Sequence, residues 1–345
     1  MIGLDCLIGQ QHPVRLLVQA LQNEKMPHAW LFTGEDGVGK KTAALELARV
    51  TNCRHRPSVP EPTPAPGEVF FPNACGQCRS CKKIRAGVHP EIQVLAPSGV
   101  YIRIDQVRAL CADLTLKSDA NACRFVIIDQ AHRMNAEASN ALLKILEEPP
   151  EQTVFVLVAP DTSNLLPTVV SRCQHIRFHP IAQAELEAYL SRHCNTDARQ
   201  AMIIASLARG SLGRAMAMAA EDWSALRSFI IEQLRQLPAH PRVFQLVLAE
   251  MLAKDKDRLD AILEIIKNWY RDLAVVAHCP DQIYNRDLSD LVQTASLEIS
   301  TDRILAASEA IASAEKSLLG NANARLVMEK LLADLAEPVL TCAAH

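Results

Sequence analysis

The chain has 345 residues, 49% hydrophobic and 22% charged, with a net charge of −3. That length accommodates two or three domains, and the near-neutral balance excludes a wholly basic nucleic-acid-coating surface while leaving room for a local basic face. No apolar run approaches the ~20 residues of a membrane span, and Met1-Ile-Gly-Leu-Asp-Cys6 lacks the basic and apolar regions of a secretory signal, so a cytoplasmic location is expected.

Residues 4–22 read as a helical lead-in with Leu16, Leu17, Val18, Ala20 and Leu21 on its apolar face, Pro13 near its start and an Ile8-Gly9-Gln10 turn before it. Next comes an apolar run, Ala29-Trp-Leu-Phe32, then Gly34-Glu-Asp-Gly37-Val-Gly39-Lys40-Lys41-Thr42, then a helical pattern through Val50. Strand, glycine-rich turn, helix is the setting of a phosphate-binding loop. The glycines let backbone N–H groups converge on phosphate oxygens, and the helix N-terminus adds partial positive charge. Lys40 stands where the loop lysine reaches the outer phosphates. The pattern asks for a hydroxyl at position 41 to hold magnesium, and this chain has Lys41. Thr42 is no simple substitute, because one step along a helix turns the side chain by roughly 100°.

A proline-rich segment, Arg56 to Pro72, reads as an exposed loop. Cys75-Gly-Gln-Cys78-Arg-Ser-Cys81 follows in what reads as a tight polar turn. Three thiols at this spacing can converge on one ion. Tetrahedral zinc takes a fourth ligand, with Cys53 the natural candidate and His55 a weaker one, and a closed set of four thiolates makes the zinc structural. Three unbonded surface thiols are the plainer reading of the same triplet. Most of the other seven cysteines sit singly in apolar patterns, as small buried hydrophobes do. Lys82, Lys83 and Arg85 form a short charge run, a solvated face or a contact for DNA or a partner.

A strand at Ile92–Leu95 and a helix at Ile104–Leu116 lead to Arg124-Phe-Val-Ile-Ile-Asp129, a buried parallel strand with an acid at its carboxyl end. Ligands bind at that edge of an α/β sheet, and Asp129 holds the position that orients magnesium and its water. An active ATPase of this type follows the acid with Glu. Here the residue is Gln130, which can hydrogen-bond a water but cannot take its proton. His132 reads as a packing or hydrogen-bonding residue at a helix start. A helix over 135–147 stops at Pro149-Pro150. Strands follow at Thr153–Val158 and His175–Phe178, with Thr168-Val-Val-Ser171-Arg172-Cys173 between them. The alternation predicts an α/β domain with a mainly parallel sheet through about residue 180. Beyond Pro180, segments 182–193, 196–208 and 211–220 read as short helices, the last two joined by Arg209-Gly-Ser-Leu-Gly213-Arg214. From Trp223 to Pro338 the periodicity predicts about five helices, broken near Pro238–Pro241 and His278–Pro280.

The order of these motifs, with Asn140-Ala-Leu-Leu-Lys144-x-Leu-Glu-Glu-Pro149 among them, resembles the bacterial clamp-loader family, AAA+ proteins of the DNA polymerase III holoenzyme. The resemblance spans the whole chain. It implies an AAA+ P-loop domain over 1–180 with a zinc-binding insert at about 53–81, a three-helix lid over 181–220 and a helical collar over 221–345. Two branches of the family carry both zinc and Ser-Arg-Cys, the ATPase subunit (gamma/tau) and delta prime. Lys41 and Gln130 favour the delta prime branch, as does the absence of a polar sensor side chain near Ala159-Pro160. The resemblance further implies that Arg172 is an arginine finger acting in trans on a neighbouring ATPase subunit, against the plainer reading of a surface arginine at a strand end. Arg214 matches the lid arginine that senses nucleotide, or is a solvated arginine at a helix start. The nucleotide site would comprise Gly34, Gly37, Gly39, Lys40, Thr42, Asp129 and Arg214, degenerate for ATP and magnesium. The zinc site would be Cys53, Cys75, Cys78 and Cys81. The implied partners are the gamma/tau and delta subunits in a hetero-pentamer, with the sliding clamp and primed DNA reached through the complex. The implied role is an accessory subunit of a DNA-directed DNA polymerase without ATPase or polymerase activity of its own. The rival readings are an active gamma/tau-type ATPase and a zinc-bearing interaction scaffold.

Overall fold

Five strands form one parallel sheet in a computed structural model of the chain: β1 (Ala29–Thr33), β2 (Ile92–Leu95), β3 (Arg124–Ile128), β4 (Thr153–Ala159) and β5 (Gln174–Arg177), in the order β2-β3-β4-β1-β5. The structure describes residues 3–22, 26–55, 73–114, 122–194, 196–220, 223–254, 258–320 and 322–336. The proline-rich segment from Arg56 to Pro72, read above as an exposed loop, lies outside them.

The central strands are buried along their whole length because helices cover both faces. Side chains alternate across a strand, so Trp30 and Phe32 of β1 point to one face and Ala29 and Leu31 to the other. The first face packs against Leu17 and Val18 of α1 (Gln11–Gln22) and Ala44 and Leu47 of α2 (Lys40–Thr51). The cysteine segment belongs to this face: Cys78 caps α3 (Arg79–Arg85), and Cys81 is fully buried. A short helix therefore stands where the sequence suggested a polar turn. The opposite face packs against Val107 and Leu110 of α4 (Ile104–Leu114) and Leu142 and Leu146 of α5 (Ala136–Glu147). A four-residue helix, α6 (Pro167–Val170), precedes β5.

The chain divides into two compact units, Met1–Glu185 with Arg209–Arg214, and Leu186–Ala208 with Ala215–His345. The sheet belongs to the first. After it the described residues form only helices: α7 (Gln183–His193), α8 (Ala198–Leu207), α9 (Leu212–Ala220), α10 (Trp223–Gln236), α11 (Arg242–Ala253), α12 (Leu259–Val275), α13 (Ser289–Glu298), α14 (Thr301–Leu319) and α15 (Ala324–Ala336). From Trp223 onward the described residues thus hold six α-helices, not the five expected. One break that neither proline cluster marks lies at Ile299-Ser300, where Ser300 accepts a hydrogen bond from the Arg303 N–H and starts a new helix. α11 packs along α15, and α12 contacts α10, α13 and α14.

One buried carboxylate fixes the link between α12 and α13. Asp272 is fully buried and accepts hydrogen bonds from the backbone N–H groups of Tyr284 (2.9 Å) and Asn285 (2.8 Å) and from Asn285 Nδ2 (2.7 Å). Arg271 donates to it at 3.1 Å while its guanidinium lies 3.7 Å from the Tyr284 ring centre. Removing this acceptor leaves buried donors unsatisfied. Asp272→Ala is expected to lower unfolding free energy by about 3–5 kcal/mol, read as a lower denaturant midpoint. A loss below ~1 kcal/mol would show that water replaces the carboxylate freely.

Candidate functional site

The phosphate loop joins β1 to α2, and its shape depends on three glycines, Gly34 (φ 139°), Gly37 and Gly39. Gly39 caps α2 with φ 100°, and Gly37 has φ 79°, a region that side chains disfavour. Gly37 also has no room for a side chain, since a Cβ there would lie 2.2 Å from Ser211 Oγ. The Gly37 carbonyl accepts the Gly213 N–H at 3.0 Å, so the Arg209–Arg214 turn is docked on the tip of the loop. At the loop's start, Gly34 N–H donates to the Pro160 carbonyl at 2.9 Å, tying it to the end of β4. No polar side chain is offered there, since positions 159 and 160 are Ala and Pro.

Both loop lysines are engaged within the protein. Lys40 is buried, and its ammonium donates to the carbonyls of Gly34 and of Glu35 (2.7 Å), with Asp36 at 3.4 Å. Burial lowers its pKa from the usual lysine value, against the opposing pull of Asp36, Asp129 and Glu35. Lys41 reaches across to the end of β3 and forms an ion pair with Asp129, Nζ to Oδ2 2.9 Å. The pair is partly solvated, the lysine 47% and the aspartate 18% exposed. Asp129 is held by its own N–H, which donates to the Leu95 carbonyl at 2.8 Å. Gln130 follows with φ 53°, and its Oε1 is buried without a hydrogen-bond partner among the described residues. His132 lies in a tight 3-10 turn, Ala131–Arg133. Burial and the neighbouring Arg133 lower its pKa, against Asp36 and Asp161. Thr42 is exposed on α2. Arg214 is half-buried, with its backbone N–H donating to Ser211 Oγ at 3.2 Å.

The structure thus brings Gly34, Gly37, Gly39, Lys40, Lys41, Asp129 and the Arg209–Arg214 turn together at one edge of the sheet. Ser211 and Gly213 were not singled out as loop contacts. Their signal was the glycine-bearing turn itself, which shows a bend but not what the bend touches.

Arg172 lies elsewhere. β5 runs parallel to β1, and Gln174 is paired with Trp30, so Cys173 and Arg172 sit beyond the amino end of the sheet. The phosphate loop leaves its carboxyl end. The five residues of β1 separate the two edges by about 16 Å. Arg172 donates to the Thr168 carbonyl (2.9 Å) and to Glu147 at the end of α5 (2.6 Å), and remains 35% exposed. Burial pushes the pKa of the neighbouring Cys173 thiol up to about 12.

The four cysteines converge. The Sγ atoms of Cys53, Cys75, Cys78 and Cys81 all lie within 4.8 Å of one another. Asn52 fixes the end of α2 by a two-way clamp to Cys123, donating to its carbonyl and accepting from its N–H, both at 2.9 Å. That places Cys53. Successive backbone N–H groups then point at sulfur, Cys75 at Cys53 Sγ (3.2 Å), Cys78 at Cys75 Sγ (3.4 Å) and Cys81 at Cys78 Sγ (3.4 Å). Such donors favour thiolates. Although burial works to raise it, the Cys78 thiol is held down to about 6 by the N–H groups of Cys81 and Arg54 and by the neighbouring thiols. Tetrahedral Zn–S bonds of ~2.3 Å place sulfurs about 3.8 Å apart, so the donor set fits one metal ion.

The chain is similar to known proteins along nearly its whole length. Residues 9–182 match the family described as "DNA polymerase III, delta subunit", and residues 221–337 match its C-terminal family. The chain is 28% identical over 332 residues to DNA polymerase III subunit delta' of Bacillus subtilis, covering 95% of this chain and 96% of the relative. It is 29% identical over 321 residues to subunit delta' of Pseudomonas aeruginosa, covering 90% and 92%. Similarity to subunit tau of Bacillus subtilis, 32% over 218 residues, covers 61% of this chain and 36% of that one.

Proposed function

We propose that this chain, which belongs to the delta prime branch of the DNA polymerase III delta-subunit family of clamp-loader proteins, serves ATP-dependent loading of the sliding clamp onto primed DNA without hydrolysing ATP itself. Its place is in a hetero-pentamer with gamma/tau and delta subunits, its working parts an AAA+ domain (1–180), a lid (181–220) and a collar (221–345). The observation that carries this reading is the Lys41–Asp129 ion pair. The carboxylate that would orient magnesium and its water instead holds an ammonium, and the general base is replaced by Gln130.

A subunit that has lost this chemistry keeps a use for Arg172. The arginine stands on the edge of the sheet remote from its own phosphate loop, so it cannot reach a nucleotide bound there. It can reach one held by a neighbour. The fork of guanidinium donors then meets charge developing on the transferring phosphoryl group. Cys53, Cys75, Cys78 and Cys81 hold a structural zinc that pins α3 to the end of α2. Gly34, Gly37, Gly39, Lys40, Thr42 and Arg214 remain as the relic of a nucleotide site.

The similarity to subunit tau raises the reading of an active ATPase, and one measurement separates the two. The isolated chain, given ATP, magnesium and primed DNA, is expected to release phosphate no faster than a blank. Turnover at a clamp-loader rate, stimulated by primed DNA, would overturn the proposal.

A further inference from the structure

The two substitutions at the phosphate loop act in the same electrostatic direction. Lys41 stands where a neutral hydroxyl belongs and adds one positive charge. Gln130 stands where a carboxylate belongs and removes one negative charge. Together they shift the site by the two charges that a bound magnesium would bring. The geometry matches this count, because the Lys41 ammonium lies 2.9 Å from Asp129 Oδ2, at the acid that ends β3. An ammonium has no lone pair to offer a cation, and magnesium requires near-octahedral oxygen ligands at about 2.0–2.1 Å. The residues present therefore do not fit magnesium. The phosphate cradle itself is kept. Gly37 and Gly39 hold the positive-φ backbone of a tight glycine turn, and α2 starts directly after it at Lys40.

We infer that Lys41 is a built-in replacement for the divalent cation, and that this loop takes a nucleoside polyphosphate as its metal-free species. Lys41 neutralises Asp129, which would otherwise repel the phosphates, and lends its remaining N–H donors to them. Lys40 exchanges its bonds to the Gly34 and Glu35 carbonyls for bonds to phosphate oxygen. Gln130 adds no negative charge beside a polyphosphate that lacks its usual counter-ion. The inference rests on the reading of this site as one that does not hydrolyse, and extends it to what the site binds.

The test is fluorescence anisotropy of N-methylanthraniloyl-ATP with the full chain, in excess magnesium and in excess EDTA. Wild-type protein is expected to bind the probe in EDTA at least as tightly as in magnesium. Lys41→Thr restores the hydroxyl and frees Asp129, and is expected to bind at least about tenfold more tightly in magnesium than in EDTA. Lys41→Met, which removes the charge and supplies no ligand, is expected to lose binding in EDTA. Lys41 is an exposed residue at the start of α2, so these variants keep the fold. Wild-type binding that tightens about tenfold with magnesium, failure of wild-type protein to bind the probe, or a Lys41→Thr variant indifferent to magnesium would each overturn the inference. Magnesium-dependent binding without hydrolysis would overturn this inference alone. Hydrolysis by the isolated chain would overturn the proposed function.

Discussion

Arg172→Ala is expected to abolish hydrolysis at one ATP site of the assembled clamp loader while leaving the isolated chain folded. An arginine finger supplied in trans accelerates phosphoryl transfer by ~10³–10⁵, so the adjoining site should fall by that factor and drop out of the reaction. The direct reading is a rapid-quench burst on the reconstituted complex with primed DNA and clamp, which should shrink by one ATP per loader. Stability is not at issue. Arg172 is one-third exposed and its partner Glu147 half exposed, and such a pair contributes ~0–1 kcal/mol. Under the proposed function, the same weakness would let Arg172 leave Glu147 for a neighbour's phosphates at little cost. Arg172→Lys should rescue poorly, because a point charge cannot form the paired hydrogen bonds of a guanidinium. An unchanged burst in both variants would return Arg172 to a surface arginine at a strand end and favour the interaction scaffold.

Much of the α/β unit was legible because its physics is local. β3 and β4 are unbroken apolar runs, as strands covered on both faces must be, and the glycines of the phosphate loop mark a turn that little else could form. What escaped was either unpunctuated or non-local. The helix break at Ile299-Ser300 has no Gly or Pro, and only the Ser300 cap reveals it. The start of α3 was hidden because Cys78 acts as its N-cap, a task that sequence patterns assign to Ser, Thr, Asp or Asn. Lys41 and Asp129 were each conspicuous, one as a wrong residue and one as a right one. Their pairing spans 88 positions, and no periodicity records it. It follows from the sheet order, which sets β4 between β1 and β3 and brings the ends of all three to one edge. The same holds for Ser211 and Gly213, whose contact with Gly37 depends on the chain returning to the loop after β5.

Loss of metal from the cysteine cluster is expected to be the largest single destabilisation available to the α/β unit. Native protein should carry one zinc per chain, released when a thiol reagent titrates the cluster. Structural zinc bound by finger peptides contributes ~10–16 kcal/mol. Even a quarter of that, about 3 kcal/mol, lowers Tm by roughly 6–12 °C in a domain of this size. The cluster carries more weight than its place near a loop suggests. Cys78 and Cys81 are buried against the sheet's core, and Cys53 is the next residue after the Asn52 clamp that fixes α2 to β3. α2 begins at the phosphate loop, so a zinc bound by the cluster would stiffen the far end of the helix whose near end bears Lys40 and Lys41. Cys78→Ser is the discriminating variant. Serine keeps the α3 cap, accepting from the Cys81 N–H as the thiol does, and removes only a metal ligand. A Tm drop of roughly 10 °C together with loss of stoichiometric zinc supports a structural metal. A variant as stable as wild type, or native protein without zinc, would leave the four sulfurs as a packed thiol cluster held by backbone N–H groups alone.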